Sequence, residues 1–279
     1  LTGTAAAINT LVSNEGDSGD KVNLDTDFTV TVDAGSVAAA DLNTISAKTS
    51  GLVTATAATT ITGTATAINT LLSDEADSGN GVNLDTDFLV TVASGSASAA
   101  HLNSINSATT GLVTATAVTS LTGTTAELIT LINNEGDTGS KVNLDGDFTV
   151  TITDTPTSLQ LATIDAATTG TISYGEDETV TDSSVTASYL NTLDSNTSGT
   201  VNASAVTTIT GSVSEIKTVY TSSGISGLGN ETITLSAGSA SAAQLNTIDA
   251  ATTGLVTATA VTSLTGTTAQ LITLIANEG

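Results

Sequence analysis

The chain has 279 residues, with 28 acidic side chains against four lysines and no arginine, and a formal charge of −24. Phosphate binding needs clustered cations, so this balance argues against nucleic acid and against an anionic membrane surface as partners. Aromatics make up 2%, cysteine, methionine and tryptophan are absent, and threonine is roughly a fifth of the residues. That composition excludes a thick core of large side chains and leaves a thin one of Val, Leu, Ile and Ala between two close layers. No apolar run reaches the length of a membrane span, so membrane insertion is not expected.

A first helix is predicted after Thr4, in the stretch Thr4–Gly16, and ten recognisable copies of this stretch follow one another along the chain. Each copy has an aliphatic anchor: Ile8, Leu42, Ile68, Leu102, Leu128, Leu161, Leu190, Ile216, Leu245 and Leu271. A second aliphatic stands three residues on, from Leu11 and Ile45 to Ile248 and Leu274, which is the spacing of one narrow helix face. Four residues before the anchor nine copies place Ser or Thr as an N-cap, Ala38 being the exception. Directly before the anchor stand Asp41, Glu127, Gln160, Glu215, Gln244 and Gln270, the third helical position of a reciprocal capping box. Eight or nine residues after the anchor comes glycine in nine copies, among them Gly16, Gly51, Gly111, Gly170, Gly254 and Gly279. We read these glycines as left-handed helix stops.

Anchors are separated by 34, 26, 34, 26, 33, 29, 26, 29 and 26 residues, so longer and shorter repeats alternate. Before the helix of the longer repeat come Val22–Val32, Val82–Val92 and Val142–Ile152, in which Phe28, Val30 and Val32 alternate with Thr29 and Thr31. That period of two predicts a strand with one buried face. The shorter repeat has Leu-Val-Thr-Ala-Thr-Ala at Leu52, Leu112 and Leu255, a second predicted strand. Strand and helix in one order throughout predict parallel pairing with right-handed crossovers. The expected fold is an α/β solenoid of about nine coils, each one parallel strand plus one short helix; the alternative is an all-β parallel β-helix. Residues 1–279 are expected to be a single repeat solenoid and a window of a longer chain. Its coil pairs span about 60 residues in 1–160 and about 55 in 161–279.

The 34-residue spacing arises from three acidic insertions, Ser13–Asp27, Ser73–Asp87 and Asn133–Asp147, which hold fourteen of the 28 acidic residues. Hard carboxylate oxygens on a glycine-containing loop suit calcium. Asp25 and Asp27, Asp85 and Asp87, and Asp145 and Asp147 are the candidate ligands, as alternate residues entering a strand, with Asp17, Asp77 and Asp137 closing each site from the loop. A solvated loop that keeps the chain soluble is the competing reading. Stacked strands would also align Thr29 and Thr31 with Thr54 and Thr56, Thr114 and Thr116, and Thr149 and Thr151 into rows that could order water against ice or bind polysaccharide; the plainer reading is outward-facing residues of high strand propensity. Enzymatic chemistry has little support: the single histidine, His101, occupies the third position of a helix, and no nucleophile elbow, P-loop or metalloprotease motif is present.

With these caps and glycine stops, the segments Ser223–Leu235, Ala242–Gly254 and Tyr189–Val206 carry a resemblance that extends over the whole chain. It resembles the tandem repeats of giant secreted surface proteins of aquatic bacteria, of the marine cyanobacterial type. The glycine-aspartate calcium nonapeptides common in such proteins are absent from it. The resemblance implies secretion to the cell surface and a structural or adhesive role. The expected function is a repeat segment of an extracellular filament or surface spacer, not an enzyme, whose partner is itself, head to tail, within the same chain or between neighbouring subunits. Because the last sixteen residues return to the pattern of the first sixteen, a strip of Val, Leu and Ile is expected to be exposed at each end.

Overall fold

The computed structural model describes residues 1–16, 18–19, 21–76, 79–175 and 177–277; Asp17, Asp77 and Gly279 lie outside the described residues. It is an α/β protein with parallel strands in several open sheets and, among the described residues, ten helices, so the all-β alternative does not hold. The chain forms two compact units, one of residues 1–150 with 166–171 and one of residues 151–165 with 172–279.

The first unit begins with β1 (Thr2–Gly3), α1 (Ala5–Ser13), β2 (Val30–Val32), β3 (Gly35–Ala38) and α2 (Ala39–Ser46). It continues through β4 (Leu52–Thr54), β5 (Ala58–Gly63), α3 (Ala65–Ser73), β6 (Gly81–Asn83), β7 (Leu89–Val92) and β8 (Gly95–Ser98). Then come α4 (Ala99–Ala108), β9 (Val113–Ala115), β10 (Val118–Gly123), α5 (Thr125–Asn133), β11 (Val142–Leu144) and the start of β12 (Thr149–Ile152). The second unit holds α6 (Ser158–Asp165), β13 (Ile172–Ser173), β14 (Glu178–Thr179), β15 (Ser184–Thr186), α7 (Ala187–Asn196), β16 (Val201–Asn202) and β17 (Thr208–Gly211). It ends with α8 (Val213–Thr221), β18 (Ile225–Ser226), β19 (Thr232–Leu235), β20 (Gly238–Ser241), α9 (Ala242–Asp249), β21 (Val256–Thr257), β22 (Val261–Thr265) and α10 (Thr268–Ala276).

Two or three strands therefore separate successive helices, where the sequence pattern predicts one. The expected strand Val82–Val92 is broken: β6 and β7 are separate pieces with a turn at Asp85–Asp87 between them. Segments such as Gly95–Ser98, poor in strand-forming residues, are strands because their backbone pairs with the next repeat, Ala97 opposite Leu121 and Ser98 opposite Thr122. Tertiary pairing outweighs weak intrinsic preference here.

Each sheet runs obliquely to the chain. In the five-stranded sheet ordered β11-β9-β7-β5-β3, β3 abuts its helix directly, whereas β7 and β9 are each separated from the next helix by a further strand. Inward residues in register, Val37, Ile61, Val90, Val113 and Val142, are all buried. Opposite them lie the helix anchors Ile8, Leu42, Ile68, Leu102 and Leu128, each 3% exposed or less. The second unit repeats this layering with Ile209 and Ile233 in register and Leu190, Ile216 and Leu245 buried. In α1 the second buried aliphatic is Val12, one residue later than the expected Leu11.

The helices form for the reason their caps suggest. The hydroxyls of Thr4, Thr64, Thr124, Thr186, Ser212, Ser241 and Thr267 accept from the third helical N–H, and Thr157 does the same for Gln160. Ser98 and Ala38 make no side-chain cap. In the reciprocal box at α8 the Ser212 N–H, and then its hydroxyl, hold the Glu215 carboxyl below the usual carboxylate range. Its contribution is present above the unfolded carboxylate pKa and is lost as pH falls through the folded value.

Thr124→Ala removes the hydroxyl half of the α5 box, leaving the backbone N–H of residue 124 on Glu127, and should cost about 1 kcal/mol. Leu128→Ala, at 1% exposure, should cost about 2–5 kcal/mol. Urea unfolding followed by circular dichroism checks both, and the reverse order would contradict the layered core.

Candidate functional site

The residues that recur at fixed places and touch the neighbouring repeat are the Thr-Thr-Gly stops, and they act differently from the expected helix stops. None of Gly16, Gly51, Gly111, Gly136, Gly170, Gly199, Gly224 and Gly254 has a left-handed backbone. At Gly51, Gly111, Gly170 and Gly254 the requirement is space. A Cβ on Gly111 or Gly170 would overlap the carbonyl oxygen of Phe88 or Phe148 in the preceding repeat, and one on Gly51 would lie 2.5 Å from the carbonyl oxygen of Asp27.

That close approach serves a hydrogen-bonded latch. Thr109 is buried, and its hydroxyl donates to the Phe88 carbonyl at 2.5 Å and accepts from the Gly111 N–H at 3.0 Å. The next residue donates its N–H to the Thr86 carbonyl at 2.9 Å. Thr49, Thr168 and Thr252 repeat the arrangement on the carbonyls of Phe28, Phe148 and Glu231 at 2.5, 2.5 and 2.7 Å. In each case the glycine two residues on donates back to the hydroxyl. At α8 a serine takes the threonine's place: Ser222 donates to Asp194 at 2.7 Å and accepts from Gly224 at 3.0 Å. One hydroxyl thus satisfies a donor and an acceptor that helix and sheet leave unpaired.

A second seam joins the helices. The asparagine after the anchor donates to the carbonyl of the residue before the next anchor: Asn43 to Ala67, Asn103 to Glu127, Asn191 to Glu215 and Asn246 to Gln270, at 2.9 to 3.1 Å. In the first pair Asn9 instead reaches the Asp41 carboxylate at 2.6 Å.

In the second unit polar groups replace part of the apolar core. Glu231 stands where Phe88 does in its latch, yet it is fully buried. Both its carboxylate oxygens accept from the Gly229 N–H at 2.9 Å, and Tyr220 donates its hydroxyl at 2.8 Å. Glu178, also buried, accepts from the Thr155 hydroxyl, and Tyr189 donates to the Pro156 carbonyl at 2.6 Å. Burial is the main cause that pushes the phenols of Tyr174, Tyr189 and Tyr220 well above their ordinary value. At the surface, the Thr200 N–H and then its hydroxyl donate to Asp177 and hold that carboxyl below the usual range.

The expected calcium ligands are arranged otherwise than on a strand. Asp25, Asp27, Asp85, Asp87, Asp137, Asp145 and Asp147 are all exposed. The Asp-x-Asp pairs sit at turns, where Asp25, Asp85 and Asp145 accept from the N–H of Thr26, Thr86 and Gly146 at 2.7 to 2.8 Å. Among the described residues no three His, Cys, Asp or Glu side chains converge as a metal would need.

The threonine rows are divided. Thr31 is in register with Thr54 and Thr2 in one sheet, and Thr114 with Thr91 and Thr62 in another. Thr29, Thr56 and Thr116 lie outside the strands; Thr149 donates to the Thr119 carbonyl at 3.2 Å, and Thr151 lies 3.2 Å from the Ser173 hydroxyl. His101 is half-buried at the third position of α4, and its Nδ1 has no partner among the described residues. No described helix is long and apolar enough to cross a membrane.

Thr109→Val keeps shape but leaves the Phe88 carbonyl and Gly111 N–H unpaired, and should cost about 1–3 kcal/mol. Gly111→Ala should cost at least as much, because the carbonyl it meets belongs to a packed strand connection. Chemical denaturation of the two variants beside Thr116→Val, an exposed threonine outside the latch expected to change stability by less than about 0.5 kcal/mol, measures the difference. Three equal effects would contradict the latch. No family model, curated protein or solved structure matches this chain.

Proposed function

We propose that the chain is a structural segment of an extracellular or cell-surface filament, an α/β solenoid of about nine right-handed coils that continues end to end. The observation that carries this reading is the latch, which recurs at four places and always ties a repeat to the one before it. Side chains used in this way serve cohesion between neighbouring repeats. Parallel pairing at offsets of 23 to 29 residues, from Val30 opposite Val53 to Val53 opposite Val82, supports the same reading, since each turn of such a stack meets only its neighbours.

The acidic loops fit this role as the filament's solubilising charge, and in this reading they also take calcium from an extracellular medium. Carboxylates that repel one another in the free loops could then share a cation. Ice or polysaccharide binding has less support, because the threonine rows are split between two sheets.

Electron microscopy of the purified chain at rising concentration is expected to show unbranched fibres. Discrete monomers at every concentration would overturn the filament. Calcium added at fixed ionic strength should raise the melting temperature more than sodium does; equal effects would leave only charge screening.

A further inference from the structure

The three acidic insertions differ where the chain returns to the sheet: Gly16 with Lys21 in the first, Ala76 with Gly81 in the second, Gly136 with Lys141 in the third. The two residues of each pair lie against one another. A Cβ on Gly16 or Gly136 would sit 3.2 or 3.1 Å from the Cγ of Lys21 or Lys141, and one on Gly81 would sit 2.9 Å from the Cβ of Ala76. Each crossing therefore keeps glycine on one side, and in the second insertion glycine and side chain have changed places. A Cβ on Gly81 would also come within 2.6 Å of the Asp74 carbonyl oxygen, and its φ is +131°, so glycine is required there.

This change of places puts glycine directly after Asn80, the one Asn-Gly step in the sequence. A glycine N–H carries no neighbouring side chain to shield it, so it is the main-chain nitrogen most open to the side-chain amide of the residue before it. Asn80 is exposed and lies in a bend between Gly79 and Gly81, both at positive φ. Its side chain is hydrogen-bonded to no described residue. Glycine on both sides leaves the rotation needed for ring closure less hindered than any other neighbours would.

We propose that Asn80 is a self-modifying site, at which the folded chain converts its own asparagine into aspartate and isoaspartate. The Gly81 nitrogen gives its proton to water or hydroxide and attacks the Asn80 Cγ. The new C–N bond closes a five-membered succinimide, the Cγ–Nδ2 bond breaks, and ammonia leaves with a proton taken from solvent. Water then opens the ring, at Cγ to give aspartate or at the main-chain carbonyl carbon to give isoaspartate. One water is consumed and one ammonia released, with no other co-reactant. The product carries a carboxylate at the place where the first insertion has Asp20. It forms in a groove that Thr26, Lys48 and Asp74 also line, so negative charge is added beside one of the four lysines. Nothing in this chemistry depends on the filament.

The full-length chain, kept folded at mildly alkaline pH, is digested at intervals and its peptides read by mass spectrometry, beside the same chain in urea. Asn80 is expected to convert several-fold faster than the exposed Asn23 and Asn230, which precede Leu24 and Glu231, and to yield both products. Ala76→Gly with Gly81→Lys rebuilds the crossing of the other two insertions. It should bring conversion at position 80 down to the rate of those two asparagines, with the circular dichroism unchanged. Conversion in urea with Asn80 intact in the folded chain would overturn the proposal, as would equal rates at the three asparagines, including none. Both results are read on the unmodified chain, so they decide the matter even if the double variant does not fold. A folded double variant that converts as fast as the unmodified chain would overturn it as well.

Discussion

Everything in this structure depends on satisfying backbone polar groups between one repeat and the next at very short range. A thin core of Val, Leu, Ile and Ala supplies cohesion without direction, and a chain with so few large side chains cannot fix register by jigsaw packing alone. Register comes instead from the buried threonine hydroxyl of each latch and from the asparagine seam between helices. Glycine is needed beside the hydroxyl because the carbonyl it binds comes so close that a methyl group would displace it. Composition and mechanism agree: threonine offers a hydroxyl, a methyl and a good strand residue in a side chain small enough for a narrow interior.

The second unit shows the same principle under a harder test. Where the first unit buries Phe88 and Phe148, the second buries Glu231, and the cost of a buried carboxylate is offset by the Gly229 N–H and the Tyr220 hydroxyl. The tyrosines donate as neutral phenols, and burial moves their titration further above its ordinary range. Among the described residues the latches and the asparagine seam join each repeat to an adjacent one, so a change in one repeat can be compensated locally by its neighbour.

Helices were the most legible part of the sequence. Cap, anchor and second aliphatic are local features, and Thr124, Glu127 and Leu128 behave as their spacing requires. Strands were legible where Val and Thr alternate and hidden where Gly, Ser and Ala form edges such as Gly95–Ser98, because nothing local distinguishes a loop from a segment whose partner lies some 24 residues away. The glycine stops were located correctly and explained wrongly: a sequence displays a glycine but not whether dihedral freedom or clearance demands it. Asp-x-Asp was taken as the start of a strand and is a turn, since the alternation around it continues on either side of the break. The threonine rows were mispaired for a related reason, as oblique sheets carry Thr54 and Thr114 into different sheets.

The most direct measurement of this account is native-state hydrogen exchange at the latch amides, read residue by residue. The N–H groups of Gly111, Gly170 and Gly254 lie outside helix and sheet, yet each donates to a buried threonine hydroxyl. Cohesion through the latches predicts that they exchange as slowly as the strand amides of Val90 and Ile233, because both open only when a repeat separates from its neighbour. Exchange at the rate of exposed turns, with the strands still protected, would show that the repeats hold together without the latch and contradict the account.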